Sequence, residues 1–210
     1  MVEDANLSDS PAAAQEKREL RAVLREQRLA LPAAERMRAA ESVARLVQAD
    51  SPLKIRSGYV AGYWAMGGEL PLHVVQLRLR DDQVWCLPCV QSDNSLRFAP
   101  WRPGDELVSN RYGIPEPVLS ADAQLRAEDM TLVLVPLLGF TREGSRLGMG
   151  GGFYDRSFAF RRQQSPPPLL VGVGYAFQEL ATLPHQAWDV RVDALLTDAR
   201  FTLCAADHGQ

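Results

Sequence analysis

Residues 146–156 read R-L-G-M-G-G-G-F-Y-D-R, and these residue types suit one kind of chemistry. Gly148, Gly150, Gly151 and Gly152 put no side chain between their backbone N–H groups and an approaching anion. Arg146 adds a fixed positive charge at the start of the loop. Asp155 supplies a carboxylate where a magnesium ion could bridge to phosphate. The pattern is that of a phosphate cradle with a metal ligand attached. It is no Walker loop, because no Gly-Lys-Ser/Thr follows, and the spacing misses the dinucleotide fingerprint. By itself a glycine cluster serves a tight turn equally well.

Such a loop needs rigid elements on either side. Residues 131–135, rich in β-branched types, predict a strand buried on both faces. After the glycines, Phe153 and Phe160 are seven apart and Tyr154 and Phe158 four apart, which is helical spacing. The glycines therefore sit in a strand-to-helix loop, where a helix start offers free N–H donors and a positive dipole end.

The rest of the chain supplies that scaffold. A first helix is expected from near Gln15, with Leu20, Val23, Leu24 and Leu31 as its apolar stripe. Lys17, Arg21 and Arg25 follow one another at single-turn intervals on another face, which on spacing alone reads as a solvated surface. Pro32 opens a second helix, whose stripe is Met37, Ala40, Val43 and Val47. Residues 58–64 predict a strand, 66–72 a turn and 72–80 a helix. This alternation implies an α/β fold with a largely parallel sheet. Residues 100–128, rich in Pro, Asp and Glu, predict a long surface excursion. A further buried strand is expected at residues 169–175.

Trp85-Cys86-Leu87-Pro88-Cys89 looks like a dithiol redox motif. A turn-rich segment and a strand follow it, however, where a redox fold would start a long helix. The expectation is a hairpin whose thiols act as small hydrophobes. A thiol oxidoreductase using Cys86 and Cys89 is the weaker alternative.

Composition sets the outer limits. The 210 residues fit one domain, expected over residues 16–205, with a mobile tail over residues 1–15 and a frayed C-terminus. A net charge of −3 favours neither nucleic acid nor membrane, and no apolar run is long enough to span a bilayer. The N-terminus has no secretory signal, and three cysteines make no disulfide framework, so a cytoplasmic protein is expected, with a monomer favoured over an oligomer.

The string from 136 to 156, P-L-L-G-F-T-R-E-G-S-R-L-G-M-G-G-G-F-Y-D-R, resembles the signature of the 5-formyltetrahydrofolate cyclo-ligase (methenyltetrahydrofolate synthetase) family. That signature is an apolar strand, Pro, a Gly-Phe step and G-x-R-L-G-x-G-x-G-[FY]-Y-D, matched here without a gap. Some members carry basic residues between the glycines, where this chain has Met149 and Gly151. The resemblance extends over residues 17–197.

It implies a three-layer α/β/α fold with two N-terminal helices, a MgATP site and a reduced-folate site. The implied reaction turns 5-formyltetrahydrofolate and ATP into 5,10-methenyltetrahydrofolate, ADP and phosphate. K-R-E-L-R at residues 17–21 resembles the family's ATP segment. By resemblance, ATP is held by Lys17, Arg18, Arg21, Arg146, Leu147, Gly148, Met149, Gly150, Gly151, Gly152, Phe153 and Tyr154. Lys17, Arg146 and Tyr154 are the implied catalytic groups. Trp64, Glu69 and Tyr112, with Met149, Gly150, Gly151, Gly152 and Phe153, fall on folate positions. Taken alone, Trp64 reads as core, Glu69 as a surface charge and Tyr112 as part of a proline-stiffened loop. Magnesium is implied on Asp155 and Asp189, with Asp193 the alternative to Asp189. A non-catalytic nucleotide- or folate-binding regulator on the same scaffold is the other reading.

Overall fold

A computed structural model describes residues 11–49 and 57–205 of the chain. Most of the expected tail (residues 1–10) and the last residues, 206–210, lie outside them. Two helices come first, α1 (Pro11–Ala30) and α2 (Ala33–Gln48). There follow β1 (Gly58–Ala61), α3 (His73–Gln76), β2 (Gln83–Val90), β3 (Leu96–Pro100), β4 (Leu107–Ser109) and β5 (Pro115–Pro117). The second half contains β6 (Leu132–Pro136), β7 (Gly139–Phe140), β8 (Arg146–Leu147), α4 (Phe153–Ser157), β9 (Leu169–Gly174), β10 (Ala194–Thr197) and β11 (Phe201–Leu203).

Seven strands form one sheet in the order β11-β10-β9-β6-β1-β2-β3. The five central strands run parallel, with Leu134 opposite Val171 and Val60 opposite Trp85. The edges, β3 and β11, are antiparallel. Alternation along each strand sends side chains to two cores. Val60, Leu132, Leu134, Val171 and Leu196 meet Ala40, Val43 and Ala44 of α2 and Val75 of α3. Ala61, Val133, Val135, Leu170 and Leu195 face the other way, onto Met130, Phe158 and Val190. The result is the three-layer arrangement implied by the sequence. No helix among the described residues is long and apolar enough to cross a membrane.

Several expected bounds move. The first helix starts at Pro11, four residues before Gln15 and inside the expected tail. Val23 and Met37 are exposed, so neither belongs to its helix's apolar stripe. The helix expected at residues 72–80 is a single turn, α3, and β1 ends at Ala61. Residues 100–128 carry the β4–β5 hairpin. Pro32 stands immediately before α2, at its N-cap position, and makes no side-chain capping bond.

Candidate active site

β1 and its neighbours set the location. From β1 the chain moves to β2 on one side, then returns to place β6 on the other side of β1. The strand order therefore reverses between β1 and β6, where parallel sheets open a crevice at their carboxyl ends. Tyr63 and Trp64 follow β1 there, and Pro136, Leu137 and Leu138 close β6. Together they line a cavity of about 580 Å³.

The glycine loop forms one wall. Gly150 has φ +96° and Gly152 φ +65°, left-handed conformations that suit glycine. Arg21 Nε donates to Gly148 O at 2.9 Å. A β-carbon at Gly150 would stand 3.7 Å from the Arg21 guanidinium carbon, one at Gly148 3.9 Å from Arg146 Nη1, and one at Gly152 3.6 Å from Arg156 Nη2. Three guanidiniums thus flank the loop. Among the described residues, no acceptor pairs with the N–H groups of residues 148–155. The helix after the loop is only five residues long, so the dipole counted on from the sequence is small. Fixed cations and loop N–H groups provide the positive field.

The far end of the chain completes this wall. Arg146 Nη2 donates to Asp155 Oδ1 at 2.6 Å, and Val190 N donates to the same oxygen at 3.0 Å. Arg146 Nε donates to Val190 O at 3.1 Å. Next to Val190, Asp189 pairs with Lys17 and accepts from Gln186 N. Asp155 and Asp189 therefore lie together at the loop, although 34 positions apart in the sequence. Asp193 does not. Its oxygens hold Arg161 Nη2 and Leu170 N at 2.7 Å each, which makes it an anchor for β9.

The opposite wall is mixed. Glu69 accepts from Met66 N at 3.0 Å and lies 3.8 Å from Arg28. Burial raises its pKa, against the pull of Met66 N–H and Arg28. Trp64 packs edge-on to Trp101 at 5.7 Å. Tyr112, at the β4–β5 hairpin tip, packs edge-on to Phe153 at 5.5 Å, and its hydroxyl donates to Asn94 Oδ1. Tyr154 stacks on Phe158 and lies 5.9 Å beneath the Arg146 guanidinium. Burial raises its pKa above the ordinary phenol value, so it stays protonated.

Every site residue expected from the sequence lines this cavity except Arg18. The Arg18 guanidinium donates to Gln15 one turn earlier, on the exposed side of α1. Three residues at the site went unread in the sequence: Arg28, Arg156 and Glu116. Arg28 continues the spacing of Lys17, Arg21 and Arg25, and that spacing was the available signal. Glu116, which fixes the hairpin by accepting from Val90 N and Asn110 Nδ2, gave none.

The two thiols are settled by geometry. Cys86 and Cys89 are three apart on β2, so alternation sends them to opposite faces of the sheet. Both are buried, and burial pushes each pKa up to about 12. They form no dithiol pair and carry no reactive thiolate.

The carboxylates suit magnesium only in company. Among the described residues no group of three or more His, Cys, Asp or Glu could form an all-protein cage. One or two carboxylates completed by phosphate oxygens and water is the way magnesium is usually held, and Asp155 and Asp189 match it.

The family model for 5-formyltetrahydrofolate cyclo-ligases matches residues 13–198. The chain belongs to the 5-formyltetrahydrofolate cyclo-ligase family. It is 31% identical over 183 residues to the cyclo-ligase of Escherichia coli, covering 85% of this chain and 98% of that one. To the Haemophilus influenzae cyclo-ligase it is 33% identical over 135 residues, 62% of this chain and 71% of that one. The solved structure of Aquifex aeolicus 5,10-methenyltetrahydrofolate synthetase superposes with a TM-score of 0.75 at 31% identity, over 92% of this chain and 99% of that one. The Mycoplasma pneumoniae synthetase, 22% identical, shares the cyclo-ligase fold at a TM-score of 0.66, over 87% and 99% of the two chains.

Proposed function

We propose that this cyclo-ligase family member converts 5-formyltetrahydrofolate and ATP into 5,10-methenyltetrahydrofolate, ADP and phosphate. One observation carries this reading: phosphate-binding features and a mixed aromatic and acidic wall share one cavity. A formyl oxygen is a poor leaving group. It must first attack the γ-phosphorus of ATP, releasing ADP. The neighbouring nitrogen then attacks the imidate carbon and loses its proton, and phosphate departs as the ring closes. No protein nucleophile is required, and catalysis rests on positioning and charge neutralisation.

The residues divide accordingly. Lys17, Arg21 and Arg146 face the phosphates, and the loop N–H groups donate to their oxygens. Tyr154 stays protonated and supports Arg146 from below. Trp64, Glu69 and Tyr112 receive the folate. Asp155 and Asp189 would hold magnesium, which supplies positive charge to the transferring phosphoryl group. We place the enzyme in the cytoplasm as a monomer acting on small molecules.

The test is the ATP-dependent appearance of 5,10-methenyltetrahydrofolate from 5-formyltetrahydrofolate, with matched phosphate release. Binding of both ligands with no phosphate released would identify a regulator on the same scaffold.

A further inference from the structure

Arg28 is 2% exposed, yet its bonding is sparse for a buried cation. A guanidinium carries five N–H donors. Among the described residues its one hydrogen bond to oxygen runs from Nε to Gly67 O, at 3.0 Å. Nη2 reaches only the Met149 sulfur, a weak acceptor, at 4.0 Å. Nη1 stands 3.8 Å from Glu69 Oε1, beyond hydrogen-bond range. The residue lines the cavity floor beside Tyr63, Gly67 and Glu69.

Arg28 is not needed to hold the turn it touches. Tyr175 OH donates to Gly68 O at 3.2 Å, Tyr63 OH to Leu70 O at 2.7 Å, and Met66 N to Glu69 at 3.0 Å. Gly68, at φ +81°, packs so closely that a β-carbon would stand 2.9 Å from Arg28 O. The turn is fixed from three sides, and donors remain on Arg28 next to an acceptor on Glu69.

We propose that Arg28 is a specificity-determining residue which, paired with Glu69, reads the lactam edge of the pteridine ring. That edge presents ring N–H and exocyclic NH₂ donors beside a carbonyl acceptor. Glu69 accepts from the N–H groups, and Arg28 donates to the carbonyl oxygen. A buried donor left facing another donor loses a charge-assisted hydrogen bond and stays desolvated, which is how such sites reject the wrong analogue. The assignment rests on the folate reading proposed above.

The experiment compares two ligands on the full chain without nucleotide, followed by intrinsic fluorescence. One is 5-formyltetrahydrofolate. The other is its 4-amino analogue, in which an amino donor replaces the carbonyl and the adjacent ring nitrogen carries no proton. The parent should bind the analogue at least about tenfold more weakly. Arg28→Met keeps the length and removes the donors. It should weaken 5-formyltetrahydrofolate at least about tenfold while leaving the analogue within about twofold, so the preference narrows at least about fivefold. A merely structural Arg28 would weaken both ligands by the same factor, and that result overturns the proposal. Equal binding of the two ligands by the parent overturns it without any variant, which covers the case where Arg28→Met fails to fold. Failure of the folate reading looks different, since the parent would then form no methenyl product from 5-formyltetrahydrofolate and ATP.

Discussion

Lys17 Nζ lies 3.2 Å from Asp189 Oδ2 and so ties α1 to a segment 172 residues away. Their side chains are 11% and 22% exposed, so the pair is largely shielded from solvent. On the proposed reading, a cation that meets phosphate and a carboxylate that meets metal here neutralise each other. A nucleotide that engages Lys17 would have to take it from Asp189, and a metal bound with that nucleotide would compensate the carboxylate.

Removing the cations should therefore act on ATP. A charge-assisted contact to phosphate contributes about 1.5–3 kcal/mol. Lys17→Ala and Arg21→Ala should each raise the KM for ATP at least about tenfold and alter the folate KM far less. Steady-state kinetics with each substrate varied in turn checks this. Equal damage to both constants would show that α1 supports the cavity as a whole and contacts no phosphate.

The carboxylates separate into two kinds. Asp155→Asn and Asp189→Asn should raise the magnesium concentration needed for half-maximal rate and lower kcat, because asparagine keeps the shape and loses the charge. Asp193, the alternative to Asp189 in the sequence, anchors Arg161 and Leu170 N. Asp193→Asn should lower stability by about 1.5–3 kcal/mol and leave the magnesium dependence unchanged. Thermal melts alongside magnesium titrations distinguish the two. A shifted magnesium requirement in Asp193→Asn alone would return the metal to that residue.

Glu69 should leave a mark on the pH dependence of stability. Burial raises its folded pKa above the unfolded value of 4.5. The contribution of such a carboxyl is fully present below the unfolded pKa and is lost as pH rises through the folded one. Arg28 on α1, Tyr63 after β1, Tyr154 on α4 and Tyr175 after β9 surround it, and the Met66 N–H and Arg28 oppose the shift. The stability of the parent relative to Glu69→Gln should fall as pH rises through the carboxylate range. Denaturant titrations of both proteins between acid and neutral pH give this slope, and a rising difference means Glu69 is stabilised as the anion.

The cysteines should be dispensable for turnover. Cys86→Ser combined with Cys89→Ser should keep kcat within a few-fold for the folded fraction, and native protein should take up thiol reagent at both sites only on unfolding. Lost turnover in a well-folded double variant would restore a role for the motif.

Local pattern carried much of this protein. The glycine string, the apolar run ending at Pro136 and the W-C-L-P-C hairpin are short-range features, and each appears where its spacing implies. Side-chain period and turn chemistry act over a few residues and do not need the rest of the fold. Tertiary packing decided what lies across the chain. It set Asp155 and Asp189 against Arg146 and Lys17, and it sent Asp193 to anchor β9 although only four residues separate it from Asp189. It also buried Arg28 beside Glu69 while leaving Arg18, on the same helix, in solvent. A helix places residues on a face by their number. Which face meets the sheet's switch point depends on contacts dozens of residues distant, and those exist only once β1 and β6 lie side by side.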